Sequence, residues 1–461
     1  MNDPAGDGSD KNLVLVVATL ASFVFPFMAS AVNIALPRLG RELSLDAITL
    51  SWVATAYLLS SATLLVPLGR IADIYGRKRI FSIGVVIFTL SSLFSGMATS
   101  ALMLISCRVL QGIGGAMLAG TAVALVTTVF PANQRGRALG INVAATYLGL
   151  SLGPVLGGIL TQRLGWRSIF FLSAFLGLAV LGVVLWKLKG EWTGARGRKF
   201  DFAGSVIYSL GLVGLVYGFT RLPNMSGVWL IVGGIIGLVA FTRWEVRTES
   251  PVLDVRLFRD SRAFTLSNVA ALIHYCATFA ISFLISLFLQ YVKGFNPETA
   301  GLILVAMPAM QAILSPLAGR LSDKIEPRII ASAGMALTTV GLIIFIFINE
   351  ATPLNFIIGN LILVGCGYAL FSSPNTNAVM TSAPHTAYGV ASATLATMRQ
   401  VGMSLSMGIA MLMFALYNIA RVEITPEYYS LFQGSVRTCF IIFAVLCFGG
   451  IFASLARGTV R

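Results

Sequence analysis

Few side chains in this sequence are of the types that bind metals or catalyse reactions, and most of these interrupt long apolar runs. There are two histidines, His274 and His385, and the five cysteines lie inside apolar runs without any Cys-x-x-Cys spacing. The sequence therefore predicts no metal site, no disulfide, no cofactor and no catalytic cluster. The sequence also has no glycine-rich loop that would bind phosphate. It therefore predicts that the chain is not an enzyme.

Charged side chains inside the apolar runs are all basic. Arg108, Arg399 and Arg437 lie within or at the ends of runs, whereas none of the 18 acidic residues lies inside one. A charge in lipid is costly, so Arg108 and Arg399 are expected to face a cavity, while Arg437 can extend to the membrane surface. His274 lies deep in its run, and histidine titrates near neutral pH, which makes it the candidate proton carrier. A packing role for His274 is the open alternative.

One short loop concentrates glycine, acidic and basic residues between two apolar runs. It reads Gly69-Arg70-Ile71-Ala72-Asp73-Ile74-Tyr75-Gly76-Arg77-Lys78-Arg79. Its first five residues recur as Gly319-Arg320-Leu321-Ser322-Asp323, which indicates two halves related by duplication. Glycines let helix ends approach closely, and Asp73 can pair with an arginine or cap a helix. The loops are therefore predicted to form a breakable latch, whose gate residues are Gly69, Arg70, Asp73, Gly76, Arg77 and Asp323. A plain topology-setting basic cluster is the alternative, but it does not explain the glycine and aspartate spacing.

A second motif is rich in glycine and contains a proline. It reads Gly149-Leu150-Ser151-Leu152-Gly153-Pro154-Val155-Leu156-Gly157-Gly158. Glycines four apart leave one helical face bare, so a partner helix can pack there and rock at the proline. The residues that carry this prediction are Gly149, Gly153, Pro154, Gly157 and Gly158. An ordinary helix-packing interface is the alternative.

The apolar runs define the fold class. Of 461 residues, 57% are hydrophobic and 11% are charged, and the runs have membrane-spanning length. Helices satisfy their own backbone hydrogen bonds in lipid, so the prediction is an all-α integral membrane protein. Fourteen spans are predicted, at 13–36, 48–72, 80–98, 101–128, 137–160, 167–187, 202–220, 228–243, 264–291, 298–319, 329–348, 354–378, 388–417 and 433–455.

The spans are predicted to form two six-helix units, 1–190 and 260–461, around an inserted two-helix hairpin with its linkers, 191–259. The net charge of +14 comes from lysines and arginines between the runs rather than from a basic domain, so no nucleic-acid partner is expected. Most of these cations adjoin one set of loops. By the positive-inside rule, both termini are predicted to be cytoplasmic in a multi-pass protein of the cell's inner membrane.

Several of these motifs resemble those of a known family. The loop at 69–79 resembles the signature loop of the major facilitator superfamily, and 149–158 resembles the antiporter motif of its exporters. Residues 108–115 also resemble the superfamily, and fourteen-span drug:proton antiporters are similar at 31–37, 52–57, 166–170, 371–375 and 399–402. The resemblance implies a major facilitator fold whose central cavity is lined by spans one, four, nine and twelve. The implied cavity residues are Met28, Asn33, Arg108, His274, Asn375 and Arg399.

One position departs from that family. Its members usually carry an aspartate five residues before Asn33, and here that residue is Met28. The expected proton-binding carboxylate is therefore absent, which leaves His274 for coupling. A cavity that has arginine and no acid is electrostatically positive, so neutral, zwitterionic or anionic amphiphiles are predicted to be preferred over quaternary cations. Compensation of Arg108 by other groups is the alternative.

The predicted function is secondary active transport: export of small amphiphilic or drug-like molecules by alternating access, with protons as the coupling ion. An importer or an uncoupled facilitator of a small metabolite is the open alternative, and a membrane enzyme or scaffold is less favoured. The expected partners are a small-molecule substrate, protons and the lipid bilayer, and the chain is expected to be a monomer.

Overall fold

The computed structural model describes residues 11–188, 190–195, 197–253, 255–322, 324–383, 388–419 and 425–458. Its regular elements in these ranges are all helical, which confirms the predicted fold class. Fourteen helical spans are long and apolar enough to cross a membrane. The predicted set of spans is thereby confirmed, including the eighth, whose predicted segment was the shortest.

The helices follow the apolar runs closely. The first six spans are α1 (Lys11–Leu43), α2 (Ala47–Tyr75), α3 (Arg77–Gly96), α4 (Ala101–Val129), α5 (Ala132–Leu164) and α6 (Arg167–Lys187). Spans seven and eight, here called the hairpin, are α7 (Phe202–Arg221) and α8 (Met225–Arg247). After the short α9 (Arg256–Asp260), the remaining helices are α10 (Arg262–Thr278), α11 (Ala280–Leu287), a π-helical turn (Phe288–Val292), α12 (Pro297–Leu304), α13 (Ala306–Ser322), α14 (Pro327–Phe345), α15 (Leu354–Thr381), α16 (Tyr388–Leu416) and α17 (Tyr429–Ala456).

Two spans are interrupted within the membrane. The ninth runs through α10, α11 and the π-helical turn, and the tenth through α12 and α13. Successive spans alternate in direction, so the turn between α2 and α3 shares one membrane side with the chain ends. We call this side, which adjoins most of the lysines and arginines, the basic side, and the other the opposite side.

Polar residues fix where several helices begin. The Asp46 carboxylate accepts from the backbone N–H of Thr49 at 2.7 Å and caps α2, and Asn296 caps α12 through Thr299 N–H at 2.8 Å. Such caps satisfy amide groups that have no partner within the helix. The starts of α2 and α12 are therefore specified locally, while the apolar runs specify the spans.

The helices pack as two halves joined by the hairpin. Within 1–190, α1 packs on α5, α2 on α4, and α3 on α4 and α6; after residue 260, α10 packs on α16 and α17, and α15 on α13 and α14. Helix α7 contacts both α2 and α16, one from each half. Tyr208 donates a hydrogen bond to the Ala62 carbonyl at 3.2 Å on the α2 side. The proposed limits of these units at 190 and 260 stay predictions.

The two halves meet closely on the opposite side. Ser286 donates to the Asn33 carbonyl at 3.1 Å, and Gln290 donates to the Ile34 carbonyl at 3.0 Å. A Cβ added to Gly301 of α12 would lie 2.2 Å from the Pro154 carbonyl oxygen of α5. Only a glycine permits this approach of the two backbones. The opposite side is therefore closed by direct contact between the halves.

The basic side differs. Among the described residues, no atom outside the adjoining part of α2 lies within 4 Å of the place where a Cβ would stand on Gly69. On Gly319, in the second copy of the loop, the Ser373 hydroxyl of the same half is the one described atom that comes that close. On the Cβ side of these two glycines, the described residues therefore show no contact with the other half.

We expect Gly301→Ala to push the halves apart on the opposite side, because the added methyl group overlaps the Pro154 carbonyl and overpacking costs about 1–3 kcal/mol. Spin labels at the exposed residues Met97 and Phe347 should then report longer distances. Gly359→Ala is the matched control, since a Cβ there meets nothing within 4 Å. Identical distances in the two variants would contradict the closure described here.

Candidate functional site

A group of tyrosines surrounds Arg399 where the two halves meet. We call Tyr147, Tyr275, Tyr368, Ser372 and Arg399 the central cluster. The hydroxyls of Tyr147, on α5, and Ser372, on α15, are 2.9 Å apart and so connect the two halves. The rings of Tyr275 and Tyr368 meet edge to face with centroids 5.4 Å apart. The central cluster therefore brings hydroxyl groups, aromatic rings and a guanidinium together at the contact between α5 and α15.

Arg399 is the charged member of the central cluster. Its Nη2 donates to the Thr376 hydroxyl at 2.5 Å, and its guanidinium lies 5.5 Å from the ring centre of Tyr275. Its buried Nε has no hydrogen-bond partner among the described residues, and no described ion pair includes Arg399. An unpaired donor on an uncompensated cation is suited to an acceptor group of a ligand.

His274 lies inside the second half, next to Tyr368 of the central cluster. It is fully buried, and its ring stacks on Phe371 with centroids 4.1 Å apart. The ring also meets Tyr368 edge to face at 4.8 Å. Nε2 is 3.5 Å from the Thr338 hydroxyl, and Nδ1 has no partner among the described residues. These contacts are typical of a packed side chain, while the unpaired Nδ1 is available to bind a proton.

Arg108 lies inside the first half rather than beside Arg399. Its Nε donates to the Val53 carbonyl at 2.8 Å, its Nη1 donates to Gln111, and its guanidinium lies 4.2 Å above the Tyr57 ring. Gln111 in turn donates to Ser92 at 2.6 Å. A carbonyl and an aromatic ring of α2, together with the amide of Gln111 in α4 itself, thus stabilise the cation. The compensation that the sequence analysis left as an alternative is present, without a carboxylate.

Three other predicted cavity residues are buried in helix contacts. Met28 is fully buried in α1, and Asn33 is 2% exposed, with its side-chain oxygen unpaired among the described residues. Asn375 accepts from Arg457 Nη1 at 2.9 Å and donates to the Ser267 carbonyl at 3.1 Å. Arg457 follows α17, and burial lowers its pKa to about 10. Asn375 thus serves a contact network within the second half, and its predicted role in substrate binding stays a prediction.

The signature loop, residues 69–79, is held by contacts within the first half and with the linker that follows it. The Asp73 carboxylate accepts from Arg77 Nη2 at 2.7 Å and from its Nε at 2.9 Å. Arg77 also donates to the Ala124 carbonyl of α4 at 3.1 Å. Gly76 adopts φ 121°, which favours glycine. Asp323 lies outside the described residues, so the predicted latch across the halves stays a prediction.

The glycine motif of α5 has two packing partners. Added Cβ atoms on Gly149, Gly153 and Gly157 would lie within 3.0 Å of α1 atoms, so this face packs on a helix of the same half. Gly158 instead faces Pro297, where an added Cβ would lie 2.5 Å from the carbonyl oxygen. The motif packs its glycine face on α1, while Ser151, Pro154 and Gly158 contact the other half, Ser151 by a hydrogen bond to the Pro308 carbonyl at 3.0 Å.

Two further features were missed by the sequence analysis. Glu245 is only 2% exposed near the end of α8, where its carboxylate accepts from Leu253 N–H at 3.2 Å. A cavity of about 520 Å³ lies on the opposite side between α2, α16 and the hairpin turn, with Trp52 and Tyr217 on its wall. It contains none of the predicted site residues. No sequence motif marks either feature, because both arise from contacts made by the hairpin.

Fourteen helical spans in two halves, with a polar and aromatic site between them, define a membrane transporter. The Major Facilitator Superfamily profile matches residues 18–242 and 267–459. The chain belongs to this superfamily, whose members are transporters rather than enzymes. Similarity to drug-resistance and export proteins places it with the multidrug efflux type, as the motifs had predicted.

Relatives and solved structures agree with this assignment. Multidrug resistance protein Stp of Mycobacterium tuberculosis is 33% identical over 89% of this chain and 77% of its own. The cephamycin export protein CmcT of Amycolatopsis lactamdurans is 32% identical over 86% of this chain and 83% of its own. The inward-facing, unoccupied structure of a bacterial homologue of the human lysosomal transporter Spinster superposes with a TM-score of 0.72 at 16% identity, covering 98% of both chains.

We expect Arg108→Lys to lower stability by about 2 kcal/mol, because lysine loses the fixed donors to Val53 and Gln111 and most of the contact with Tyr57. The change in stability is measured by thermal unfolding in detergent, which is monitored as the loss of the monodisperse elution peak. Arg437→Lys is the control, since Arg437 is exposed. Equal melting temperatures for the two variants would show that Arg108 is not held by these contacts.

Proposed function

We propose that this transporter exports small amphiphilic molecules from the cytoplasm by alternating access, and that it prefers neutral, zwitterionic or anionic cargo to quaternary cations. The observation that carries the proposal is Arg399: a cation with an unpaired Nε, surrounded by tyrosines, with no described carboxylate paired to it. The export direction is supported by the relatives, whose names describe multidrug resistance and cephamycin export.

Alternating access is supported by the unequal ends of the structure. The opposite side is closed by backbone contacts such as that of Gly301 with Pro154, whereas on the basic side no described atom of the other half lies within 4 Å of the Cβ positions of Gly69 and Gly319. In a transporter, a site between two halves is reached from one side at a time. We assign the basic side to the cytoplasm by the positive-inside rule, so this form is open toward the cytoplasm.

The charge preference follows from electrostatics. At an effective dielectric constant of about 20, one uncompensated charge about 6 Å from a ligand charge changes the binding energy by roughly 3 kcal/mol. Both arginines have neutral neighbours, but Arg108 is engaged by Val53 and Tyr57 inside the first half. Arg399 is the charge that we place at the cargo site, because its Nε has no partner among the described residues. Tyrosine faces then supply apolar contact for the rest of an amphiphile.

Competition binding with a matched pair of anionic and cationic dyes tests the cargo charge. We expect the purified protein to bind the anionic dye more tightly, and Arg399→Gln to reduce that preference by about tenfold, or about 1.4 kcal/mol. Arg437→Gln, at an exposed arginine, should leave the preference unchanged. Tighter binding of the cationic dye than of the anionic dye to the unmodified protein would contradict the proposal.

Proton coupling is proposed to pass through His274. It is supported by the unpaired Nδ1 and by contact with Tyr368, a member of the central cluster. The acidic residues in the described spans, by contrast, lie within three residues of a span end: Glu42, Asp73, Glu245, Glu298 and Glu427. An imidazole is therefore the titrating group nearest to the substrate site.

We expect His274→Ala to abolish accumulation driven by a pH gradient in proteoliposomes while downhill movement of cargo persists. Glu245→Gln, at the buried carboxyl near the end of α8, should retain gradient-driven accumulation. If His274→Ala accumulates cargo normally, the histidine is not the coupling site. Loss of accumulation only in Glu245→Gln would indicate that the Glu245 carboxyl is the coupling site.

A metabolite transporter is the second candidate function. The riboflavin transporter RibZ of Clostridioides difficile is 29% identical over 86% of each chain. Riboflavin is a neutral, planar aromatic compound, which the tyrosines of the central cluster suit as well as they suit a drug. Transport measured in both directions in vesicles of known orientation separates the two candidates: net outward movement supports export, and net inward movement supports uptake.

A further inference from the structure

We propose that residues 191–195, in the linker between α6 and α7, clamp the signature loop, and that Glu191 is the positioning residue of this clamp. The clamp favours the form that is open on the basic side. This inference rests on the alternating-access part of the proposed function, but it requires no particular substrate.

The start of α3 needs an external cap. Its first residue is Arg77, and the preceding Gly76 has no side chain with which to cap the helix. The first amide groups of a helix have no partner within the helix and carry partial positive charge. The basic residues of this first turn add to that charge. A carboxylate from elsewhere is therefore the group that this helix end favours.

Glu191 supplies that carboxylate from more than a hundred residues away. Its Oε1 accepts from Lys78 N–H at 2.8 Å, and its Oε2 accepts from Arg79 N–H at 3.1 Å. The Trp192 carbonyl accepts from Arg77 N–H at 2.8 Å. The linker thus satisfies the first three amide groups of α3. Gly76 is required here a second time, because an added Cβ would lie 2.5 Å from the Glu191 carboxyl carbon.

The same linker also holds the end of α2. Gly194 and Ala195 donate their N–H groups to the Asp73 carbonyl at 3.0 and 2.9 Å. An added Cβ on Gly194 would lie 2.8 Å from Arg77 Nη2, so the linker backbone approaches the Asp73–Arg77 ion pair directly. Both helix ends that flank the signature loop are therefore fixed by one short segment.

The consequence concerns where Asp73 can bind. In the described form, the clamp fixes the backbones of Asp73 and Arg77 so that the two side chains pair with each other. Without Glu191, the start of α3 loses its cap and the loop can rearrange. Asp73 is then free to bind the other half, as in the predicted latch. Loss of the clamp should therefore favour closure of the basic side.

Two measurements on the full-length protein test the clamp. Hydrogen exchange of a peptide covering residues 76–82 reports whether Glu191 protects the amides of α3. Spin labels at the exposed residues Trp186 and Ile329, at the basic ends of α6 and α14, report the separation of the halves. Glu191→Ala and Glu191→Gln are compared with Glu249→Gln, an exposed carboxylate on the same side. Melting temperatures identify any variant that is misfolded, and Glu191→Gln keeps the side-chain shape.

We expect faster exchange in both Glu191 variants and a fall of about tenfold in the ratio of open to closed forms, equivalent to about 1.4 kcal/mol. Glu249→Gln should match the unmodified protein in both measurements. Unchanged exchange would show that the cap does not exist in solution. Faster exchange with an unchanged distance distribution would overturn the positioning role. A failure of the export proposal leaves both readouts intact, because neither uses a substrate.

Discussion

A guanidinium inside the membrane must be stabilised by whatever surrounds it, and in this protein the surroundings are neutral. Arg108 is stabilised by a carbonyl, an amide and the face of Tyr57, all from the first half. Arg399 has a hydroxyl and the face of Tyr275, but one of its donors stays unpaired. Arg108 therefore engages groups of its own half, while Arg399 keeps an unpaired donor that we propose a ligand binds.

The two sides of the membrane are held by different contacts. On the opposite side, Gly158 and Gly301 let α5 and α12 approach until their backbones touch. Closure there combines this packing, which is lost steeply with distance, with the hydrogen bonds of Ser286 and Gln290. On the basic side, the signature loop depends on hydrogen bonds and an ion pair, which can exchange partners. We propose that this difference lets the basic side open while the opposite side stays closed.

Most of the fold was predictable from the sequence, and the site only in part. Run length specifies a span, so all fourteen spans were found. Run length does not specify which face of a span turns inward, so the tyrosines of the central cluster were missed and Arg108 was predicted to line the cavity. Long-range polar pairs were also missed, because no local pattern connects Asn375 to Arg457 or Glu191 to Lys78. The glycine face at 149–157 was predicted to receive a helix, and its partner, α1, emerged only from the structure.

The proposed transport of amphiphiles depends on a positively charged site between the halves. Transport of matched anionic and cationic amphiphiles into proteoliposomes, with and without an imposed pH gradient, tests this proposal most directly. We expect the protein to move the anionic compound, the gradient to drive its accumulation, and the cationic compound to move little faster than in protein-free vesicles. Accumulation of the cationic compound alone would contradict it.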